Sequence, residues 1–332
     1  MTIENLTVTD APTWFKEAIN SPRATEHVDV NGCTIEYYRW GDPTKPCLLL
    51  VHGNGAHANW WDFIAPALTE QHCVLALHLS GMGNSGQRTE YNLESYANDV
   101  ISVAQHAGYT RDISLVGHSL GGVIAIRTAQ LYANAIKGIV VVDSPLVKLM
   151  ENAESLRQRH LPGHDLTDRD LPDHENNLPR SYKPREYYPD FASVRQRFRF
   201  IPDQPCHNHF IVDYIAQFSI GKFDQGWGWK FDPKILSSFS AKKKLVDPTQ
   251  FTAYFAFIYG EQSNMVSPQD VVKLKKLFRQ RGPILGIADA YHHLLLDQPQ
   301  ELIVKIREVL SSWSHKYHGK DTKKVSRACL HK

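Results

Sequence analysis

Residues 113–133 read ISLVGHSLGGVIAIRTAQLYA, an apolar strand-like run that passes through Gly117-His118-Ser119-Leu120-Gly121 straight into an apolar helix. No residue is left over for an ordinary loop. A strand turning this sharply into a helix must hold the residue at the turn in a strained conformation with its side chain projecting. Glycines two residues to either side keep the neighbouring chain from colliding with it. That residue is Ser119. The Gly-x-Ser-x-Gly pattern alone is weak, but between a strand and a helix it has the setting of a nucleophile elbow. The helix behind the serine also directs its N-terminal amides toward developing negative charge.

The rest of the chain supplies a sheet for this elbow. HVDVNGCTIEYYRWGD predicts two strands joined by an Asn31-Gly32 turn. Residues 46–51 (PCLLLV) form a short buried-strand run ending in His52-Gly53-Asn54-Gly55, and 58–69 (ANWWDFIAPALT) read as a helix. CVLALHL at 73–79 is the next strand, Tyr91–Ala107 has helical spacing, and KGIVVVD at 137–143 is another buried strand. The rhythm returns late: strand 251–260, helix SPQDVVKLKKLFRQR, strand PILGIAD, helix PQELIVKIREVLSSW. Strands with continuous apolar runs alternating with helices predict an α/β fold with a mostly parallel sheet covered on both faces.

Between the halves, residues 145–245 change character: Arg, His, Asp and Pro concentrate first, then aromatics in RFRFIPD, NHFIVDYI and QGWGWKFD. This stretch starts just after one strand and closes just before another. It reads as a cap inserted over the C-terminal edge of the sheet, where open α/β sheets bind ligands. The expected division is therefore core 25–144, cap 145–245, core 246–315 and a basic, frayed, solvated tail 316–332.

GHSLGG, His52-Gly53-Asn54-Gly55, Gly81-Met82-Gly83-Asn84-Ser85 and Tyr291-His292-His293-Leu294-Leu295-Leu296-Asp297-Gln298-Pro299 occur in this order. With them the chain resembles the α/β-hydrolase fold family over roughly residues 25–315. The resemblance implies a central sheet flanked by helices with a mainly helical cap, and a serine hydrolase. A serine hydroxyl needs a base within hydrogen-bond reach, usually histidine. In the resembled family that histidine lies seven residues before the proline opening the last helix, which selects His292, with His293 as its adjacent competitor. The resemblance also implies an oxyanion hole built from the backbone amides of Leu120 and Asn54.

The acid departs from the pattern. Most relatives carry it after the seventh core strand, but here that stretch reads Gly260-Glu261-Gln262-Ser263-Asn264, with Ser263 at the expected position. Asp143, which ends the sixth strand, is the leading replacement, as in some branches of the family; Glu261 is the alternative.

Other signals bound the function. The chain has 332 residues, 42% hydrophobic and 22% charged, enough for a sizeable core. Net charge is +2, with 37 basic against 35 acidic residues, which gives no reason to propose nucleic acid as a partner. No apolar run reaches the length of a membrane span, and no secretory signal opens the chain. Five scattered cysteines (Cys33, Cys47, Cys73, Cys206 and Cys329) favour reduced thiols and a cytoplasmic home. No cofactor is called for: Gly81-Met82-Gly83 lacks the further glycine of a nucleotide loop, and His207 and His209 beside Cys206 lack further metal ligands. Trp60, Trp61, Trp227 and Trp229 are candidate pocket walls, and equally candidates for plain core packing.

The expected function is hydrolysis of a carboxylic ester or related acyl compound through an acyl-enzyme on Ser119. Carbon–carbon bond hydrolysis of a diketone-like substrate and a non-catalytic binding role on the same scaffold are the alternatives.

Overall fold

A computed structural model describes residues 10–151, 184–235 and 250–328, with side chains through residue 313. After a short helix α1 (Thr13–Ile19), β1 (Ala24–Val30) and β2 (Cys33–Trp40) form a hairpin. Its turn residues Asn31 and Gly32 both take positive φ, 53° and 75°, the geometry that makes Asn-Gly the favoured pair. β3 (Cys47–Val51), β4 (Cys73–Leu77), β5 (Ile113–His118), β6 (Ile136–Val142), β9 (Tyr254–Gly260) and β10 (Ile284–Ile287) complete one eight-stranded sheet. Its order is β1-β2-β4-β3-β5-β6-β9-β10, antiparallel through the first three strands and parallel thereafter.

The apolar runs are continuous because both faces are buried. In β3, Leu49 and Val51 pack with Val100 of α2 (Leu93–His106) and Ile124 of α3 (Leu120–Leu131). Leu48 and Leu50 pack on the other side with Trp61 and with Leu302 and Ile306 of the last helix. α2 is closed by a capping box in which Asn92 and Ser95 satisfy each other's amides.

Two expectations are corrected. In place of one helix over 58–69 there are two single 3₁₀ turns, Ala58–Trp61 and Ala65–Leu68. Pro66 lacks the N–H that a continuous helix needs and disfavours helical backbone at Ala65. The tail expected to fray is instead helical: the last helix, numbered below, runs Pro299–Ala328, extending without a proline from its packed first turns.

Between β6 and β9 lie helices α4 (Phe191–Arg195) and α5 (His209–Ser219) and a small hairpin, β7 (Ile220–Phe223) with β8 (Gly226–Trp229). Much of the polar part of the expected insertion, residues 152–183, lies outside the described residues, as do 236–249 and Cys329. α6 (Pro268–Leu277) links β9 to β10, and α7 (Leu294–Asp297) and α8 (Pro299–Ala328) close the chain. Parallel pairing keeps Val51 beside Gly117, His118 beside Val142, and Val142 beside Ile258. Residues that leave these strands therefore gather along one edge of the sheet.

Candidate active site

Ser119 follows β5 directly and takes φ 53° and ψ −118°, a conformation costing a non-glycine residue about 1–3 kcal/mol. Neighbouring strands hold it there. Its N–H donates to Val142 O at 2.8 Å, and its carbonyl accepts from Gly122 N–H at 3.0 Å and from the Ser144 hydroxyl. The flanking glycines are required by contact. A Cβ on Gly117 would lie 2.1 Å from Gly121 O, and one on Gly121 would lie 2.2 Å from Val51 O.

His292 reaches this serine from the loop after β10. Its Nε2 lies 3.1 Å from Ser119 Oγ, and its Nδ1 lies 2.8 Å from Asp143 Oδ1. Asp143 is wholly buried. Three donors compensate that burial: the His292 ring, the Ser263 hydroxyl at 2.7 Å to Oδ1, and Gly260 N–H at 2.8 Å to Oδ2. Ser263, from the loop after β9, thus holds the carboxylate that leaves the end of the adjacent strand β6. Glu261 is exposed, lies over Gly286, and is not a partner of His292.

The loop after β3 backs onto the elbow. A Cβ on Gly53 would meet Ser119 Cβ at 3.3 Å and His118 Nδ1 at 3.1 Å, so the loop approaches this closely only through glycine. Leu79 N–H donates to His52 Nε2 at 3.1 Å, which puts the His52 proton on Nδ1, where it bonds Gly53 O at 2.8 Å. Burial drives the His52 imidazole down to about 3, so this brace stays uncharged. Asn54 is exposed, and neither its amide nor that of Leu120 donates to any group among the described residues.

Beside Ser119 the wall is aromatic. Trp60 stacks on His118, with ring centroids 6.3 Å apart, and meets Phe200 and His293 edge-on at 5.8 and 5.4 Å. Trp61 is buried in the core, whereas Trp229 touches Phe198 and Trp227 touches Phe191. Burial holds His118 far below its ordinary value and His293 at about 3, and the neighbouring His292 pushes both the same way. Both rings are therefore neutral.

One further contact had no sequence signal. Gln204, from the segment between β6 and β9, accepts from His293 N–H at 2.7 Å and donates to both Asp297 oxygens at 3.1 and 3.0 Å. Asp297 in turn accepts from Tyr291 N–H at 2.8 Å. The loop that carries His292 is clamped at residues 291, 293 and 297. Among the described residues, three potential metal ligands gather only at His118, His292 and His293, not at Cys206, His207 and His209.

An eight-stranded, mostly parallel sheet with a serine elbow, a carboxylate from the end of the adjacent strand and a histidine from the loop after the edge strand β10 defines a hydrolase architecture. The family model for the alpha/beta hydrolase fold matches residues 46–299, and the chain belongs to that family. It is similar to the esterase Rv0045c of Mycobacterium tuberculosis, 26% identical over 291 residues, or 85% of this chain and 88% of that protein. Among solved structures, a thioesterase domain from the curacin biosynthetic pathway superposes with a TM-score of 0.67 at 21% identity. It covers 86% of this chain and 99% of the other. E-2-(acetamidomethylene)succinate hydrolase also gives 0.67, at 18% identity, over 87% of this chain and all of that one. Among the described residues no helix is long and apolar enough to cross a membrane.

Proposed function

We propose that the protein hydrolyses a carboxylic ester or related acyl compound through an acyl-enzyme on Ser119. The observation that carries this reading is the continuous chain Asp143 Oδ1–His292 Nδ1 at 2.8 Å and His292 Nε2–Ser119 Oγ at 3.1 Å. As Ser119 Oγ attacks the acyl carbon, its proton passes to His292 Nε2, and Asp143 stabilises the imidazolium. The oxyanion is received by the amides of Asn54 and Leu120. Collapse expels the alcohol, which takes the proton from His292. Water, deprotonated by the same nitrogen, then releases the acid and restores Ser119.

The segment between β6 and β9 acts as a cap. Its Gln204 and Phe200 contact the loop of His292 and the aromatic wall, and so join its placement to the site. The similarity to a mycobacterial esterase across most of both chains supports ester cleavage. The free thiols Cys33, Cys47, Cys73 and Cys206 fit a reducing, cytoplasmic setting.

Ser119→Ala should lower turnover of p-nitrophenyl butyrate by ~10⁴-fold or more and abolish labelling by a fluorophosphonate probe, with the melting temperature retained. Labelling at the wild-type level in that variant refutes the assignment.

A further inference from the structure

Cap helix α5 ties together two loops of the proposed site. At its start Asn208 Nδ2 donates to Leu296 O at 2.6 Å and to Asp297 O at 3.2 Å, both in α7, which closes the His292 loop. At its end the Ser219 hydroxyl donates to Ile215 O at 2.9 Å, so its oxygen accepts from His57 Nε2, also at 2.9 Å. His57 follows closely after Asn54, in the loop proposed to supply an oxyanion amide. The 11 residues of the helix measure roughly 16 Å from end to end. A tilt of this one element therefore disturbs the loop of the base and the loop of the oxyanion together.

The middle of the helix is held from outside the cap. Phe15 of α1 is wholly buried and meets Phe210 and Tyr214, one turn apart on α5, with ring centroids at 4.9 and 5.6 Å. The same ring lies 5.6 Å from Phe63 of the core. Tyr214 donates its hydroxyl to Asp62 Oδ2 at 2.5 Å, an oxygen that also accepts from Asn59 Nδ2 at 2.8 Å. Asp62 Oδ1 accepts from Arg23, the residue before β1, whose guanidinium lies 3.7 Å from the Tyr38 ring centroid. The Asp62 side chain is 1% exposed, and burying a carboxylate is costly unless a cation pairs with it. Arg23 is that cation. Without it the group that anchors Tyr214 becomes an unpaired buried charge, which must take up a proton or water and so alters its bond to the cap.

We propose that the segment Thr13–Arg23 clamps α5, and that Arg23, acting through Asp62 and Tyr214, is a positioning residue for the reaction on Ser119. The kinetic part rests on the esterase reading, whereas the clamp does not.

The test is hydrogen exchange of the full chain, read by mass spectrometry, in Arg23→Gln against the wild type. Amides of residues 209–219 and 291–297 should exchange ~10-fold faster, while those of β5 and β6 keep their wild-type rates. Tyr214→Phe, which removes one hydroxyl and keeps the ring, provides the same comparison if the first variant does not fold. Faster exchange confined to residues 13–23, or spread evenly over the sheet, overturns the clamp. In parallel, each variant should lower kcat for p-nitrophenyl butyrate by ~10-fold, with KM within about twofold of the wild type. Arg23→Lys, which keeps the charge, should recover part of that loss. Because both substitutions act through Asp62, the double variant should lose no more than the worse single one. Losses that multiply, or an unchanged kcat, overturn the positioning role. Faster exchange at 209–219 and 291–297 in a chain that turns over no ester refutes the esterase reading and leaves the clamp standing. Ester hydrolysis without that change in exchange does the reverse.

Discussion

Ser263 donates its hydroxyl to Asp143 Oδ1 at 2.7 Å, although the two residues are 120 positions apart and belong to loops after different strands. The same hydroxyl accepts from Met265 N–H at 3.1 Å, so its proton has a fixed direction. The two positions share one interaction, with the charge on the β6 side.

If Asp143 is the acid of the proposed mechanism, this sharing predicts that the acid can be moved. Asp143→Ser alone should lower kcat/KM by ~10⁴-fold, since the His292 imidazolium loses its ionic partner. Adding Ser263→Asp returns a carboxylate to within reach of His292 Nδ1 and should recover ~10-fold or more of that loss. Steady-state kinetics of the pair decides the matter: a double variant no better than Asp143→Ser shows that the two positions are not interchangeable.

Gln204 should act on rate through position. Gln204→Ala frees His293 N–H and one side of Asp297, loosening the loop that aims His292. A displacement of ~1 Å at a reacting group costs up to ~10²-fold. The expected result is a kcat lower by ~10-fold, with fluorophosphonate labelling slowed in proportion and Gln204→Glu failing to restore it. An unchanged kcat removes Gln204 from this role.

Asp297 gives a stability signature with an uncommon sign. Burial raises its carboxyl from 3.8 to about 6, against the opposing bonds from Tyr291 N–H and Gln204. The folded chain therefore holds this proton over a range where the unfolded chain has released it, and stability falls as pH rises from 3.8 to about 6. Asp297→Asn should be less sensitive to pH across that window and gain on the wild type toward its upper end. Melting temperatures at either end check this, and parallel curves for the two proteins would count against it.

Gly121→Ala tests the tightness of the elbow. The added methyl would stand 2.2 Å from Val51 O, backbone that cannot yield without moving β3. A destabilisation of about 3 kcal/mol is expected in chemical unfolding. A variant as stable as the wild type would mean that the helix can slide away from the strand.

Much of this geometry is legible in the sequence because parallel strands are written as apolar runs with sharp ends. Ser119 and Asp143 each stand at the end of such a run, and a fixed register brings the ends together. The helix predicted over 58–69 fails because periodicity does not register the single missing N–H of Pro66. Ser263 and Gln204 are illegible for another reason. A serine or glutamine in a loop has no periodic signature, and Gln204 meets its partner across 89 residues. The pairing of Asp143 with His292, across 149 residues, is no more local, but the strand order supplies the link.

The insertion leaves the sheet after Val142 and re-enters before Tyr254, and β6 and β9 are zipped together residue for residue from Gly138–Tyr254 to Val142–Ile258. Asp143 N–H then donates to Ile258 O at 2.8 Å, so the junction is stitched at the point of departure. A segment rooted in this way can be exchanged for that of a relative as a module, provided the graft supplies an amide at the place of Gln204. With the segment acting as the proposed cap, diversification of the substrate range can proceed by transplanting it whole, while Ser119, His292 and Asp143 keep their places.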